Sequence, residues 1–280
     1  MSAPRIRQMS RAELGTVLGW AEAEGWNPGL DDAAAFYAAD PEGFLVADIG
    51  GDPVASISVV GLGGVAFLGL YICRKDMRGA GHGLALWTEA LARRAPDGAT
   101  IGLDGVPAQQ ARYARAGFVH AHRTVRFQGA PRPAGPDLTR PLAPSDMAAA
   151  RALDRAATGY DRAAFLRGWL GAGARRSTRV LEREGRLAGL ATLRACVIGF
   201  KAGPVFAEDA DAAAALLDGL AHQAAGAPFS IDAPTPNEVA ARLAEARGMI
   251  PVFETARMWR GSAPRQDLTR IFGVATLELG

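Results

Sequence analysis

Between Val54 and Cys73 the chain reads "VASISVVGLGGVAFLGLYIC", an uncharged run of about twenty residues, the length of a membrane-spanning helix. The glycines decide against that reading. "GLGG", Gly61 to Gly64, splits the run into two segments rich in β-branched and aromatic residues, the signature of a hairpin in a buried sheet. The next segment is equally constraining. "DMRGAGHG", Asp76 to Gly83, puts three glycines and an arginine between the second strand and an apparent helix, "LALWTEALARR". A strand, a glycine loop and a helix in that order make either a tight turn or a place where a ligand's phosphates approach bare backbone.

The rest of the chain supplies the frame. "RIRQM" reads as a strand, and "SRAELGTVLGWAEAEG" as a helix opened by a capping box, Ser10 with Glu13. A short helix, "DDAAAFYAAD", has Asp31 and Asp32 at its start as N-cap candidates. "GFLVADIG" adds a strand before the hairpin. After the glycine-loop helix come a strand ("ATIGLDGV"), a helix ("PAQQARYARA") and a strand ("VHAHRTVRFQG"). A Pro- and Gly-rich linker, 130–137, comes next, and then the pattern restarts. Asp104, Gly117 and Arg126 recur in spacing and order as Asp232, Gly248 and Arg257. The expectation is two copies of one α/β fold, 1–129 and 138–280. At 280 residues the chain has room for both, and a net charge of +2 argues against a dedicated nucleic-acid binder. Two cysteines in apolar segments, Cys73 and Cys196, and a start without a signal-peptide apolar core point to a reducing cytoplasm and no membrane partner.

The glycine loop lacks the Gly-Lys-Ser/Thr of a P-loop, and Leu84 stands where a dinucleotide-binding fingerprint needs its third glycine. What it does match is Arg-x-x-Gly-x-Gly, at Arg78, Gly81 and Gly83. With that motif after the fourth strand, and with "YARAGF" setting Tyr113 four residues before Gly117, the first half resembles the GNAT superfamily of N-acetyltransferases. The whole resembles bacterial two-domain members with a degenerate second copy. The resemblance implies an α/β (α+β) architecture of two tandem GNAT-like folds, each a mixed, mostly antiparallel sheet flanked by helices. It implies that Arg78, Gly79, Ala80, Gly81, His82 and Gly83 hold the pyrophosphate of acetyl-CoA, and that a backbone N–H of Ile72 or Cys73 polarises the thioester carbonyl. The second copy has no such motif. Glu208, Asp209 and Asp211 put negative charge at its corresponding helix start, and Ala244 stands where the first copy has Tyr113. One acyl-CoA site, in the first half, is expected.

The chemistry implied is direct attack of a primary amine on the thioester in a ternary complex, the acceptor being a small molecule rather than a protein. Tyr113 is the candidate acid for the departing thiolate, against a structural tyrosine packed on the last strand. Family members often carry a carboxylate on the fourth strand; "VAFLGLYIC" has none. Asp104 is left as amine base, substrate anchor or cap of the next helix. Trp26 and Asn27 fall where the family builds its acceptor pocket. His120 and His122 share a strand face without a carboxylate or cysteine cluster, so no metal is expected, and Cys73 reads as a buried strand residue rather than a nucleophile. The rival is a non-catalytic acyl-CoA-binding or regulatory protein. A pseudo-twofold within one chain favours a monomer over a homodimer.

Overall fold

The computed structural model describes residues 3–95, 98–171 and 173–280. The first half runs β1 (Arg5–Gln8), α1 (Arg11–Ala23), α2 (Asp32–Ala39), β2 (Phe44–Ile49), β3 (Asp52–Leu62), β4 (Val65–Cys73), α3 (His82–Arg94), β5 (Ile101–Gly105), α4 (Pro107–Arg115) and β6 (Val119–Gly129). The second runs β7 (Arg140–Pro141), α5 (Met147–Thr158), α6 (Ala163–Trp169), β8 (Arg176–Arg183), β9 (Arg186–Ala195), β10 (Phe200–Ala207), α7 (Ala210–Ala224), β11 (Phe229–Pro234), α8 (Glu238–Glu245), β12 (Ile250–Arg260) and β13 (Ile271–Gly273). The two halves repeat one order of elements, in a mixed α/β fold whose sheet is mostly antiparallel.

The apolar run forms the hairpin β3–β4, turned at Gly63 and Gly64, both with positive φ. No helix among the described residues is long and apolar enough to cross a membrane. β3 is buried on both faces because helices cover each side. Leu14, Val17 and Leu18 of α1 join a core with Phe36, Phe44 and Phe67, and Leu86 and Ala90 of α3 join another with Ile57, Leu68 and Leu103. The capping box of α1 forms: Glu13 N–H donates to the Ser10 hydroxyl, and Ser10 N–H to the Glu13 carboxylate.

One sheet, rather than two, runs through the molecule in the order β1-β2-β3-β4-β5-β12-β6-β11-β10-β9-β8-β7. The strand that follows the last helix of each half, β6 or β12, lies in the other half. β12 pairs with β5, β6 pairs with β11, and β6 and β12 pair with each other through the centre, where Thr124 faces Thr255. The repeated Asp and Arg positions then interlock. Arg257 of β12 donates two hydrogen bonds, 3.0 and 2.7 Å, to Asp104 of β5. Arg126 of β6 donates two, 2.7 and 2.8 Å, to Asp232 of β11. Each carboxylate is thus neutralised by the opposite half.

Candidate active site

The first half's site is made by two parallel strands that part. β4 and β5 pair only from Ala66 to Leu68 against Ile101 to Leu103. Beyond that, β4 bulges against β3 between Ser56 and Ser58. Leu70 takes a positive φ, 46°, and its carbonyl accepts a 2.7 Å hydrogen bond from the buried Ser56 hydroxyl. The bulge swings the rest of β4 away from β5. A cleft of about 810 Å³ opens there, lined at one end by the glycine loop and at the other by side chains from both halves.

The ladder fixes which backbone donor faces the cleft. Arg74 N–H donates to the Val54 carbonyl, and Ile72 lies opposite Ser56 in the same register. By alternation Ile72 N–H also points to β3, and the N–H of Cys73 points to the opening. The Cys73 carbonyl agrees, since it accepts from Arg78 Nε at 3.0 Å instead of from β3. Of the two donors the resemblance offered, the ladder turns the N–H of Cys73, and not that of Ile72, toward the cleft. The Cys73 thiol sits 3.5 Å from the Met77 carbonyl, and burial pushes its pKa up, which makes it a poor nucleophile.

Gly79 and Gly81 both take the left-handed conformation, with φ of 83° and 85°, which accounts for glycine at these two positions. Gly81 is the N-cap of α3 and offers no side chain, so the first-turn amides of α3 keep no internal acceptor. Gly83 lies under the Tyr71 hydroxyl, where a Cβ would come within 3.1 Å. Arg78 is held at the loop by the Glu24 carboxylate, at 2.7 Å. Its side chain is half-exposed, so this pair holds it weakly. Ala80 lies in the same loop, and the His82 ring is buried, leaving its backbone as the part that faces a ligand.

Tyr113 reaches the cleft from α4, stacked on Trp87 with ring centroids 5.6 Å apart. Trp87 in turn packs on Tyr71 at 5.3 Å. Burial pushes the Tyr113 hydroxyl above its usual range, so it stays protonated at neutral pH. Tyr71 and Trp87 belong to no sequence motif; only the folded chain brings them beside Tyr113.

Asp104 also lines the cleft, but both carboxylate oxygens are taken by Arg257, and the side chain is fully buried. Burial raises its pKa against the pull of Arg257. It caps no helix: α4 begins after Val106 with no side-chain cap. Trp26 lines the cleft, and its carbonyl accepts from Lys201 Nζ at 2.7 Å. Asn27 does not. Its amide exchanges two 2.9 Å hydrogen bonds with the backbone of Ile198, pinning the 25–30 loop to the second half. Asp31 stands at the N-cap position of α2 but makes no side-chain cap bond, and Asp32 accepts from Gly29 N–H at 2.8 Å. Arg176 donates to both, and Arg194 donates to Asp32, with the two guanidiniums stacked on the Trp169 ring. His122 is buried beside Arg257 and its pKa is lowered to about 3, while His120 is exposed.

The second half has the same splay but fills it. β10 and β11 pair only from Phe200 to Ala202, and β13 lies in the gap against Val205 and Phe206. Gly203 allows this close approach, since a Cβ there would overlap the carbonyls of Val274 and Ala275. The start of α7 is closed by its own Asp209, which accepts from Ala212 N–H at 2.8 Å. Arg183 and Arg186 neutralise Asp209 and Glu208.

Comparison with known proteins agrees with this architecture. A family model for the acetyltransferase (GNAT) family matches residues 8–118, and one for an acetyltransferase (GNAT) domain matches residues 150–273. The holothin acyltransferase of Pseudoalteromonas sp. (strain SANK 73390) is 33% identical over 265 residues, 93% of this chain and 89% of that protein. A putative acetyltransferase from Pyrococcus horikoshii superimposes with a TM-score of 0.85 at 22% identity, over 100% of this chain and 97% of that one. A tandem GNAT protein from the clavulanic acid biosynthesis pathway gives 0.61 at 14% identity, over 91% and 97%. An open splay beside an uncapped helix in one half, a plugged copy in the other, and relatives along nearly the whole length lead to one assignment: the chain belongs to the GNAT family of acyltransferases, with two GNAT domains in tandem.

Proposed function

We propose that the first half binds acetyl-CoA and that its acetyl group passes directly to the primary amine of a small molecule held between the halves. The contrast between the two splays carries this reading. Only the first leaves an opening beside a helix whose first-turn amides have no internal acceptor. Backbone amides at Gly79 to Gly83 and the half-exposed Arg78 suit a pyrophosphate. The outward N–H of Cys73 suits a thioester oxygen as charge develops on it. Tyr113, protonated and at the cleft, suits the leaving thiolate. Asp104 serves as a fastening between β5 and β12 and takes no proton from the amine.

The acceptor end is lined by Trp26 of the first half and by Phe253, Thr255 and Leu277 of the second. Two aromatic walls favour a flat amine, and the relative named for holothin suggests that compound as the first acceptor to try. The reading makes the protein a cytoplasmic monomer acting without a nucleic-acid or membrane partner. The test is calorimetric titration of acetyl-CoA into the wild type and into Arg78→Ala/Gly81→Val, followed by mass-spectrometric detection of acetylated holothin. Saturable binding that the double variant loses supports the reading. No binding by the wild type overturns it.

A further inference from the structure

The fourth strand carries no carboxylate, yet a carboxylate reaches it from the far end of the chain. Three acidic side chains line the cleft: Glu24, Asp104 and Glu278. Glu24 is held by Arg78 and Asp104 by Arg257. Among the described residues Glu278 has no cationic partner within salt-bridge distance. Its Oε2 accepts from the Thr276 hydroxyl, and its Oε1 has no hydrogen-bond donor. Its position is set on both sides. Upstream, Val274 N–H donates to the Asp232 carbonyl at 2.9 Å. Downstream, Leu279 is fully buried and the Gly280 carbonyl accepts from Arg162, itself locked to Asp154. The backbone of Glu278 lies directly on Gly69 of β4, where a Cβ would overlap its carbonyl oxygen. Gly69 is the residue after the last β4–β5 pair, so Glu278 stands where the strands part.

We infer that Glu278 is the proton acceptor for the attacking amine, delivered to the first half's cleft by the same tail that plugs the second half's splay. The inference rests on the acetyl-transfer reading above. In the step assigned to it, the amine nitrogen bonds to the thioester carbonyl carbon and its proton passes to Glu278 Oε1. The C–S bond then breaks, Tyr113 gives its proton to the sulfur, and the tyrosinate recovers one from solvent or from Glu278. The products are the amide and the free thiol of CoA. Glu278 would thus be a catalytic residue that touches the reacting nitrogen. The charged groups that face it are Asp104 of β5, Arg126 of β6, Arg194 of β9 and Lys201 of β10, with Asp232 of β11 behind Arg126. Lys201 has its pKa lowered to about 8 by burial and the neighbouring arginines.

The experiment compares wild type, Glu278→Gln and Gly69→Ala by acetyl-CoA calorimetry and by transfer to holothin from pH 5 to 9. Glu278→Gln should keep its acetyl-CoA affinity within about twofold and lose about 10²–10⁴ in kcat. Any inflection near 8 from Lys201 should remain in the variant. Gly69→Ala, which displaces the tail without touching the carboxylate, should show the same loss at unchanged affinity. Wild-type kcat in Glu278→Gln, or a raised KM at unchanged kcat, overturns the base assignment. Should the wild type bind acetyl-CoA without acylating holothin, the named acceptor fails, and the same comparison is read on hydrolysis of acetyl-CoA, with water in the amine's place. Equal hydrolysis rates overturn the assignment and a matching loss supports it. A wild type that binds no acetyl-CoA, or turns over neither acceptor, overturns this assignment and the transfer reading together.

Discussion

Asp104 separates two accounts of the cleft, and Asp104→Asn decides between them. In the structure its side chain is wholly buried, and so is all but 2% of Arg257, which gives it two hydrogen bonds and lies 4.9 Å over the Phe67 ring. An asparagine keeps the shape but removes the charge, and it leaves a buried guanidinium without its counter-ion. Breaking a buried pair this way costs about 3–5 kcal/mol. With an unfolding entropy of about 2.1 cal/mol/K per residue, the chain as one cooperative unit changes by about 0.6 kcal/mol/K, so Tm should fall by about 5–8 °C. Calorimetric melting reads this directly. Replacing the pair together, Asp104→Leu with Arg257→Met, should return Tm to within a few degrees, since an apolar pair of similar volume avoids the desolvation. Well below its melting point, each variant should retain acetyl-CoA affinity and transfer within about tenfold. An Asp104→Asn protein as stable as the wild type but with transfer reduced by more than about 10² would refute the fastening role and make Asp104 the base.

Two other groups yield sharp expectations. Tyr113→Phe should lower kcat for transfer by about 10²-fold at unchanged acetyl-CoA affinity. Since burial holds the hydroxyl above its usual range, the wild-type rate should show no fall from tyrosine ionisation below about pH 10; an unchanged kcat in the variant would return Tyr113 to a packing role. Lys201 has its pKa lowered from 10.5 to about 8. The unfolded chain therefore binds the extra proton between those values, and this group's contribution to stability rises with pH across that window, its full penalty being present below about 8. Lys201→Met should accordingly be more stable than wild type at pH 7 by about 1–2 kcal/mol, after loss of the bond to the Trp26 carbonyl, and should lose that advantage by pH 10. Urea unfolding at the two pH values checks it, and a variant destabilised equally at both would contradict the sign.

The sequence discloses what the backbone demands locally. Gly79 and Gly81 need left-handed backbone, Gly63 and Gly64 need a turn, and Ser10 with Glu13 needs a helix start, so loop, hairpin and cap are legible from a few neighbouring residues. Partners across the chain are not. β6 and β12 carry closely similar patterns, and either would satisfy β5 or β11 as a neighbour, so nothing local says that they exchange. The Asp–Arg repeat is visible as a repeat, but which arginine meets which aspartate depends on that exchange. Asn27, Asp31 and Asp32 look like pocket and cap residues until the second half supplies Ile198, Arg176 and Arg194. Glu278 has no motif at all: it lies beyond a three-residue strand, and only the path of the tail brings it to Gly69.

The exchange also bears on why a copy with a closed cleft is kept. From the sequence, residues 1–129 carry the one acyl-CoA motif. Cut there, β5 loses β12, and β6 loses both of its neighbours, leaving strand edges unpaired on a sheet whose faces are apolar. Asp104 and Arg126, which do not pair with each other, would each lose a buried counter-ion, at about 3–5 kcal/mol apiece, a sum comparable with the whole stability of an ordinary domain. The cleft would lose Phe253, Thr255, Leu277 and Glu278 at its acceptor end. Expressed alone, this segment should therefore show no cooperative melting transition and no transfer. A folded, fully active 1–129 fragment would mean that β6 can close on its own half, and that the second copy contributes neither the sheet nor the proton acceptor.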